Sequence, residues 1–314
     1  MSIELISVLV LFISFAGLLA YGVPVAYSIG ISTMLVLIIN IAFLPSVTTA
    51  SQRMTTGIDN FALLAIPFFI LAGELMNRGG VAKRLIDFAK SLIGSLPGGL
   101  AYVNIISAML FGAISGSAIA AASAIGSTLT DKMEKEGYPR EFSAAVNISS
   151  STTGLLIPPS NVLIIFALAS GGTASVAALF IAGYIPGILV DFKNAFLSLT
   201  LLIIVVGGIV AGIFTATEAA AIAVVYAALL GFLNKELHFA DFKSILLKSA
   251  KTTAIVMFLI ATSMAMSWLF SFEGIPQMLT SLLVDSVSNP IAVFLLINLI
   301  LLLVGTFMDM TPAV

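Results

Sequence analysis

Charge is scarce in this chain. Of its 314 residues, 9% are charged and 60% are hydrophobic, where a soluble domain carries about 25% charged residues. That shortage excludes an ordinary soluble fold and points to an integral membrane protein. Cysteine is absent, which excludes a disulfide framework and any thiolate metal site. Histidine occurs once, as His238 in the polar stretch LNKELHFADFK. A solvated loop residue is expected there, and no Ser-His-Asp set can be assembled around it. The net charge of −2 offers nucleic acid no basic surface. A basic n-region and a small-residue cleavage site are missing from MSIELISVLVLF, so this stretch reads as a first membrane helix and not as a signal peptide. The chain has no P-loop and no HExxH motif. It also lacks the convergent Asp, Glu and His pairs within apolar runs that a membrane-embedded enzyme would need.

What the chain does have is apolar runs of helical length, not the weak ten-residue alternation of a barrel. The expected fold is an all-α polytopic bundle. Residues 5–43 form one run that Gly22-Val23-Pro24 divides into two helices. Residues 45–60 read as a polar, Thr/Ser-rich connection. Residues 61–76 are apolar again, contain Pro67, and end near Glu74, which is expected to pair with Arg78. Residues 77–96 interleave Arg78, Lys83, Arg84, Asp87 and Lys90 with Val81, Leu85, Ile86, Leu92 and Ile93. That is the pattern of an amphipathic helix in the membrane interface, with a solvated cap as the alternative.

Residues 97–130 are two half-runs parted by Ser115-Gly116-Ser117, and basic loops flank them at 78–90 and 132–140. Basic loops mark the cytoplasmic side, so the segment is expected to enter and return on one side as a re-entrant hairpin. The shortness of 118–130 as a span supports this; two ordinary crossings are the alternative. Residues 142–170 read as a helix broken by Pro158-Pro159, since two prolines remove two amide donors and push the preceding residue out of helical geometry. Further helical runs follow at 177–190, 197–214, 216–233 and 253–272, then an amphipathic stretch at 274–288 and a run at 291–304. The run 177–190 is short for a span and Asp191-Phe192-Lys193 follows at once, so a segment is expected to be missing at that junction.

The order of elements occurs twice. Gly22 pairs with Gly212, Pro97 with Pro290 and Gly112 with Gly305, at nearly the same offset. Counting crossings from the basic loops at 78–90 and 235–251 orients the two copies oppositely. Inverted repeats with paired broken helices, and a site at their interface, are a recurrent design of secondary transporters. The second copy stops within GTFMDMTPAV, so no counterpart of PPSN is present.

The breaks carry the chemistry. Helix-breaking backbone at membrane depth is tolerated only where protein or a water-filled cavity surrounds it. A broken helix frees amides at one half's N-terminus and carbonyls at the other's C-terminus. Amides and hydroxyls suit a substrate carboxylate, and carbonyls and hydroxyls suit Na⁺. Ser115, Gly116 and Ser117 offer these groups at the first break. Ser149, Ser150, Ser151, Thr152, Thr153 and Gly154 offer them before the prolines, with Ser160 and Asn161 after. The bland alternative is that small residues ease helix packing and the hydroxyls bond back to their own helix. Asp309 lies at the second break between two methionines and is a site candidate, with a helix cap as its alternative. Glu218, in TATEAAA, reads as the acid of a capping box.

The stretches LPGGLAYVNIISAMLFGAISGSA, NISSSTTGLLIPPSN, GIFTATEAAAIAVVYA and GTFMDMTPAV resemble the large membrane (M) subunit of tripartite ATP-independent periplasmic (TRAP) transporters, along essentially the whole chain. The resemblance implies a sodium-coupled importer of organic acids working by an elevator mechanism, with no organic cofactor. It implies two partners in the bacterial inner membrane system: a small membrane (Q) subunit and a periplasmic substrate-binding protein (P). Because the chain begins at its first helix, a separate small subunit is expected.

On that resemblance, 1–76 would be first-repeat scaffold, 77–96 an interfacial arm, and 97–190 the first half of a transport domain, with a hairpin at 97–130 and a broken helix at 142–170. Second-repeat scaffold would occupy 191–272, a second arm 273–288 and the start of a second hairpin 289–314. Substrate contacts would fall on Ser115, Ser117, Ser151, Thr153, Ser160, Asn161 and Asp309. Sodium contacts would fall on Ser115, Gly116, Ser150, Thr152, Gly154, Gly305 and Thr311. Sialic acid and C4-dicarboxylates are equally compatible substrates. A stand-alone sodium/dicarboxylate elevator without a binding protein is the alternative function.

Overall fold

The structure is a computed structural model that describes residues 3–96, 98–155, 157, 160–170, 174–184, 204–205, 207–233, 235–278 and 292–299. Among the described residues all regular structure is helical. In order the helices are α1 (Ile3–Ala20), α2 (Val25–Asn40), α3 (Phe43–Ile58), a 3₁₀ turn (Phe61–Leu64), α4 (Ala65–Arg78), α5 (Val81–Ile93), α6 (Gly99–Ser115), α7 (Ala118–Lys135), α8 (Arg140–Gly154), α9 (Asn161–Ala169), α10 (Val176–Tyr184), α11 (Ala216–Leu233) and α12 (Asp241–Phe272). Phe61–Arg78, Ala216–Leu233 and Asp241–Phe272 are long and apolar enough to cross a membrane. The chain forms two compact units, residues 1–60 with 254–314, and residues 61–253.

In the first unit, α1 and α2 are parted at Gly22 as expected. Gly22 takes φ 78°, its N–H reaches the Leu19 carbonyl at 2.9 Å, and the Val23 N–H reaches Leu18 at 3.0 Å. This pair of bonds closes a helix through a left-handed glycine, and Pro24 then precedes α2. The same pair recurs at Gly212, with φ 71° and bonds from Gly212 to Ile209 and Ile213 to Gly208 at 3.1 and 2.8 Å. Local geometry therefore repeats at the two glycines that the sequence pairs.

Residues 45–60 correct an expectation. They lie almost wholly within a helix, α3, and not an irregular connection. Its hydroxyls bond to carbonyls one turn back, Thr48 to Pro45 at 2.9 Å and Thr55 and Thr56 to Ser51 and Gln52 at 2.7 Å each. Such back-bonding gives Ser and Thr a satisfied place inside a helix. Tyr27 meets Phe258 at 5.1 Å between ring centroids, and a side chain on Gly30 would stand 3.2 Å from Thr262 Cγ2. Arg53 stacks 4.8 Å from the Trp268 ring. Asn40 Nδ2 donates to Ser7 Oγ at 2.7 Å and to Glu273 Oε1 at 2.9 Å. The first two contacts join α2 to α12, and the Arg53–Trp268 stack joins α3 to it. The Asn40 amide then ties α1, α2 and the residue after α12 at one end.

In the second unit, α4 and α11 pack along each other, with Gly79 against Gly231: a Gly79 side chain would come within 3.2 Å of Gly231 Cα. Thr215 and Glu218 form the expected capping box. The Thr215 N–H donates to Glu218 Oε2 at 2.8 Å, and the Glu218 N–H to Thr215 Oγ1 at 3.2 Å. Glu74 pairs with Lys248 at 2.8 Å. The expected partner, Arg78, is nearer in sequence, but the fold supplies a cation from α12. The apolar face of α5 (Val81, Leu85, Ile86, Ala89) is fully buried and lies against α6, where Ser107 Oγ donates to the Leu85 carbonyl at 3.5 Å. Arg84 on α5 reaches Glu236 at 3.7 Å. His238 is exposed, as expected for a solvated residue, 3.8 Å from Asp241.

Candidate substrate and cation site

The hairpin is built by α6 and α7. Gly116 ends α6 in the left-handed region (φ 65°, ψ 17°), and its N–H bonds to the Gly112 carbonyl at 2.8 Å. Ser117 is extended (φ −139°), and its Oγ caps α7 by accepting from the Ala120 N–H at 3.2 Å. The two helices then run back along each other: Asn104, well before the turn, contacts Met133 Sδ at 3.6 Å, well after it. α7 extends to Lys135, past the expected end at 130. The left-handed Gly116 turns the chain between the two helices.

Ser115 is 2% exposed. Its Oγ accepts from the Ser117 N–H at 3.4 Å and donates to the Ser117 carbonyl at 3.3 Å. Helix α4 rests on this turn, since a side chain on Gly73 would meet the Ser115 carbonyl at 3.2 Å.

The hydroxyl run lies on α8 and stops with it at Gly154. Ser150 donates to Val146, Ser151 to Asn147, Thr152 to Ser149 and Thr153 to Ser150, each at 2.7 Å. Ser150 and Ser151 are buried, while Thr152 and Thr153 are exposed. The back-bonding alternative is thus what the hydroxyls do. It does not exhaust them, because a hydroxyl has one donor and two lone pairs. With the O–H engaged, each oxygen is left as an acceptor. Acceptors suit a hard cation, whereas a carboxylate needs donors from backbone amides or from a hydroxyl that lets go of its carbonyl.

The turn and the end of α8 are brought together. A side chain on Gly154 would stand 2.8 Å from Gly112 Cα and 3.1 Å from the Ala108 and Met109 carbonyls. One on Gly112 would meet Gly154 Cα at 2.9 Å. The helices cross backbone to backbone here, one turn before Ser115–Ser117 and at the end of Ser150–Gly154. Ser160 is fully buried and sits ahead of α9, accepting from the Leu163 N–H at 3.5 Å; Asn161 is the first residue of α9. Asp309, Gly305 and Thr311, together with Pro97, Pro158 and Pro159, lie outside the described residues.

One residue of this region was not singled out from the sequence. Asn147 on α8 donates from Nδ2 to the Ala122 carbonyl of α7 at 2.8 Å. The absence of a side chain on Gly126 makes room, since a Cβ there would fall 2.5 Å from that nitrogen. The Asn147 Oδ1 is buried and has no partner. The signal available was an amide one turn ahead of the hydroxyl run on the same helix. Among the described residues no three acidic or histidine side chains cluster, so a cation here would be held by neutral oxygens.

The hairpin turn meets the end of a hydroxyl-lined helix in an all-helical membrane chain, and the relatives of this chain are transporter permeases, not enzymes. The chain belongs to the DctM component family of the tripartite ATP-independent periplasmic transporters, whose family model matches residues 12–196 and 190–314. It is an inner-membrane protein. The two matches meet at the junction where the sequence points to a missing segment.

Among relatives, an uncharacterized protein, YgiK, of Salmonella typhimurium is 45% identical over 337 residues, covering 98% of this chain and 77% of that one. The C4-dicarboxylate TRAP transporter large permease protein DctM of Rhodobacter capsulatus is 35% identical, covering 96% and 78%. The sialic acid TRAP transporter large permease protein SiaM of Vibrio cholerae is 37% identical, covering 93% and 75%.

Proposed function

We propose that this chain is the large membrane subunit of a sodium-coupled importer of a small organic acid. A periplasmic binding protein delivers the acid, and a small membrane subunit completes the complex. The observation that carries the reading is the Gly112–Gly154 crossing, which joins the hairpin turn to a run of hydroxyl oxygens that retain free lone pairs. Na⁺ takes those oxygens, and the acid takes amides freed at the breaks. Coupling follows from linkage: if bound Na⁺ raises acid affinity by some factor, bound acid raises Na⁺ affinity by the same factor. The unit bearing both then moves across the membrane as an elevator. Relatives named for C4-dicarboxylates, sialic acid and 2,3-diketo-L-gulonate support a small organic acid as the substrate class.

The test is uptake of labelled succinate and labelled sialic acid into proteoliposomes that hold the chain with its small subunit, under an inward Na⁺ gradient and with the binding protein supplied. Uptake is expected to need both the gradient and the binding protein. Ser150→Ala is expected to weaken apparent Na⁺ affinity by about tenfold, the factor that corresponds to about 1.4 kcal/mol. Uptake indifferent to Na⁺ would remove the sodium role, and uptake without the binding protein would favour a stand-alone carrier.

A further inference from the structure

Within the first unit, α2, α3 and α12 enclose a cavity of about 330 Å³ lined by Tyr27, Thr33, Met34, Met54, Phe258 and Ala265, among others. No step of the proposed transport uses it. The lining is mostly apolar, with hydroxyls on Tyr27, Thr33, Ser51 and Thr262. The cavity is open along one side, and Tyr27 and Ile31 at its rim are 55% and 43% exposed.

A cation stands beyond one end. Ala265 lines the cavity, Trp268 is the next residue on that face of α12, and Arg53 lies over the Trp268 ring at 4.8 Å. Further along the same helix direction, Glu273 joins the polar knot with Asn40 and Ser7. The order along α12 is therefore apolar cavity, then Arg53 with Trp268, then a polar end. Arg53 takes part in none of the ion pairs of the described residues. Arginine and tryptophan together suit the headgroup level of a membrane, where guanidinium binds phosphate and indole lies at the interface.

We propose that this groove is a phospholipid site: an acyl chain lies in the cavity, and its phosphate rests on Arg53 beside Trp268. An anionic headgroup is favoured because, among the described residues, no carboxylate pairs with Arg53. The inference is independent of the transported substrate and of sodium coupling.

The test uses full-length protein reconstituted in phosphatidylcholine vesicles that contain phosphatidylglycerol with a photoactivatable acyl chain. The same photoactivatable group on phosphatidylcholine serves as the comparison. After photolysis, adducts are mapped by mass spectrometry. Adducts are expected to concentrate on peptides bearing Met34, Met54 and Phe258. Ala50→Phe, which fills the groove, should abolish them with either lipid. Arg53→Gln should lower the preference for phosphatidylglycerol by about fivefold, the effect of one basic residue near an anionic surface. If Ala50→Phe fails to fold, Arg53→Gln decides alone, because it changes only an exposed side chain. Adducts spread evenly over the apolar surface, or unchanged in Arg53→Gln, would overturn the proposal. So would groove adducts that vanish when the small membrane subunit is added, since protein would then be the occupant.

Discussion

Near the hairpin turn, Gly112 and Gly154 bring two helix backbones together so closely that neither could carry a side chain, and every hydroxyl from Ser150 to Thr153 donates to its own helix. Around α2, α3 and α12 the opposite holds: a cavity remains, and the hydroxyls of Ser32 and Thr33 are buried without partners. Both regions are rich in small and hydroxyl residues, and composition alone does not separate them. What separates them is where the glycines fall. At the α6–α8 crossing, glycine faces glycine and removes all intervening volume. In the other region Gly30 faces the methyl of Thr262 and the space beyond stays open. The first arrangement holds oxygens at fixed positions, as small-ion binding requires, while the second leaves room for a flexible apolar chain.

The comparison can be broken most directly at the crossing. Gly154→Val drives a branched side chain into Gly112 and two carbonyls, and is expected to destabilise by about 3 kcal/mol, the upper range for overpacking. A thermal melt of the purified protein in detergent reads this loss. Gly116→Ala forces a Cβ into the left-handed region, for about 1–2 kcal/mol, and the same melt should show a smaller shift. Gly126→Ala displaces the Asn147 amide from the Ala122 carbonyl, with a loss of about 1 kcal/mol, and hydrogen exchange along α7 should rise. In the open region the sign reverses. Thr33→Val removes an unpartnered hydroxyl, and in lipid-free detergent is expected to stabilise by about 0.5 kcal/mol. A destabilising result would mean that Thr33 has a partner and that the two regions are alike.

Much of this arrangement was legible in the sequence because it rests on local rules. Gly22 ahead of Pro24, Gly116 between two serines, and Thr215 with Glu218 each specify a turn or cap within a few residues, and each folds as those residues dictate. The hydroxyl run ending at Gly154 was also visible. What was not visible depends on neighbours distant in sequence. Lys248 reaches Glu74 from another helix. Gly126 makes space for Asn147, and neither residue signals the other. α3 misled because polarity was read as irregularity. Its threonines bond to their own backbone, and Phe43, Val47, Ala50, Met54 and Ile58 fall at helical spacing, a stripe that its Thr and Ser residues masked. The extent of α7 was missed because charge was taken to end a helix, although Asp131 to Lys135 continue it into the polar region.

The bare crossing of α6 and α8 has a mechanical consequence. Helices normally lock because rows of side chains on one fit the furrows of the other. At Gly112 and Gly154 there are no teeth to engage, so a small rotation there disturbs fewer packed atoms than a rotation at a crossing with meshed side chains. The contact is a bearing: it fixes the distance between the two helices while constraining their angle less than meshed side chains would.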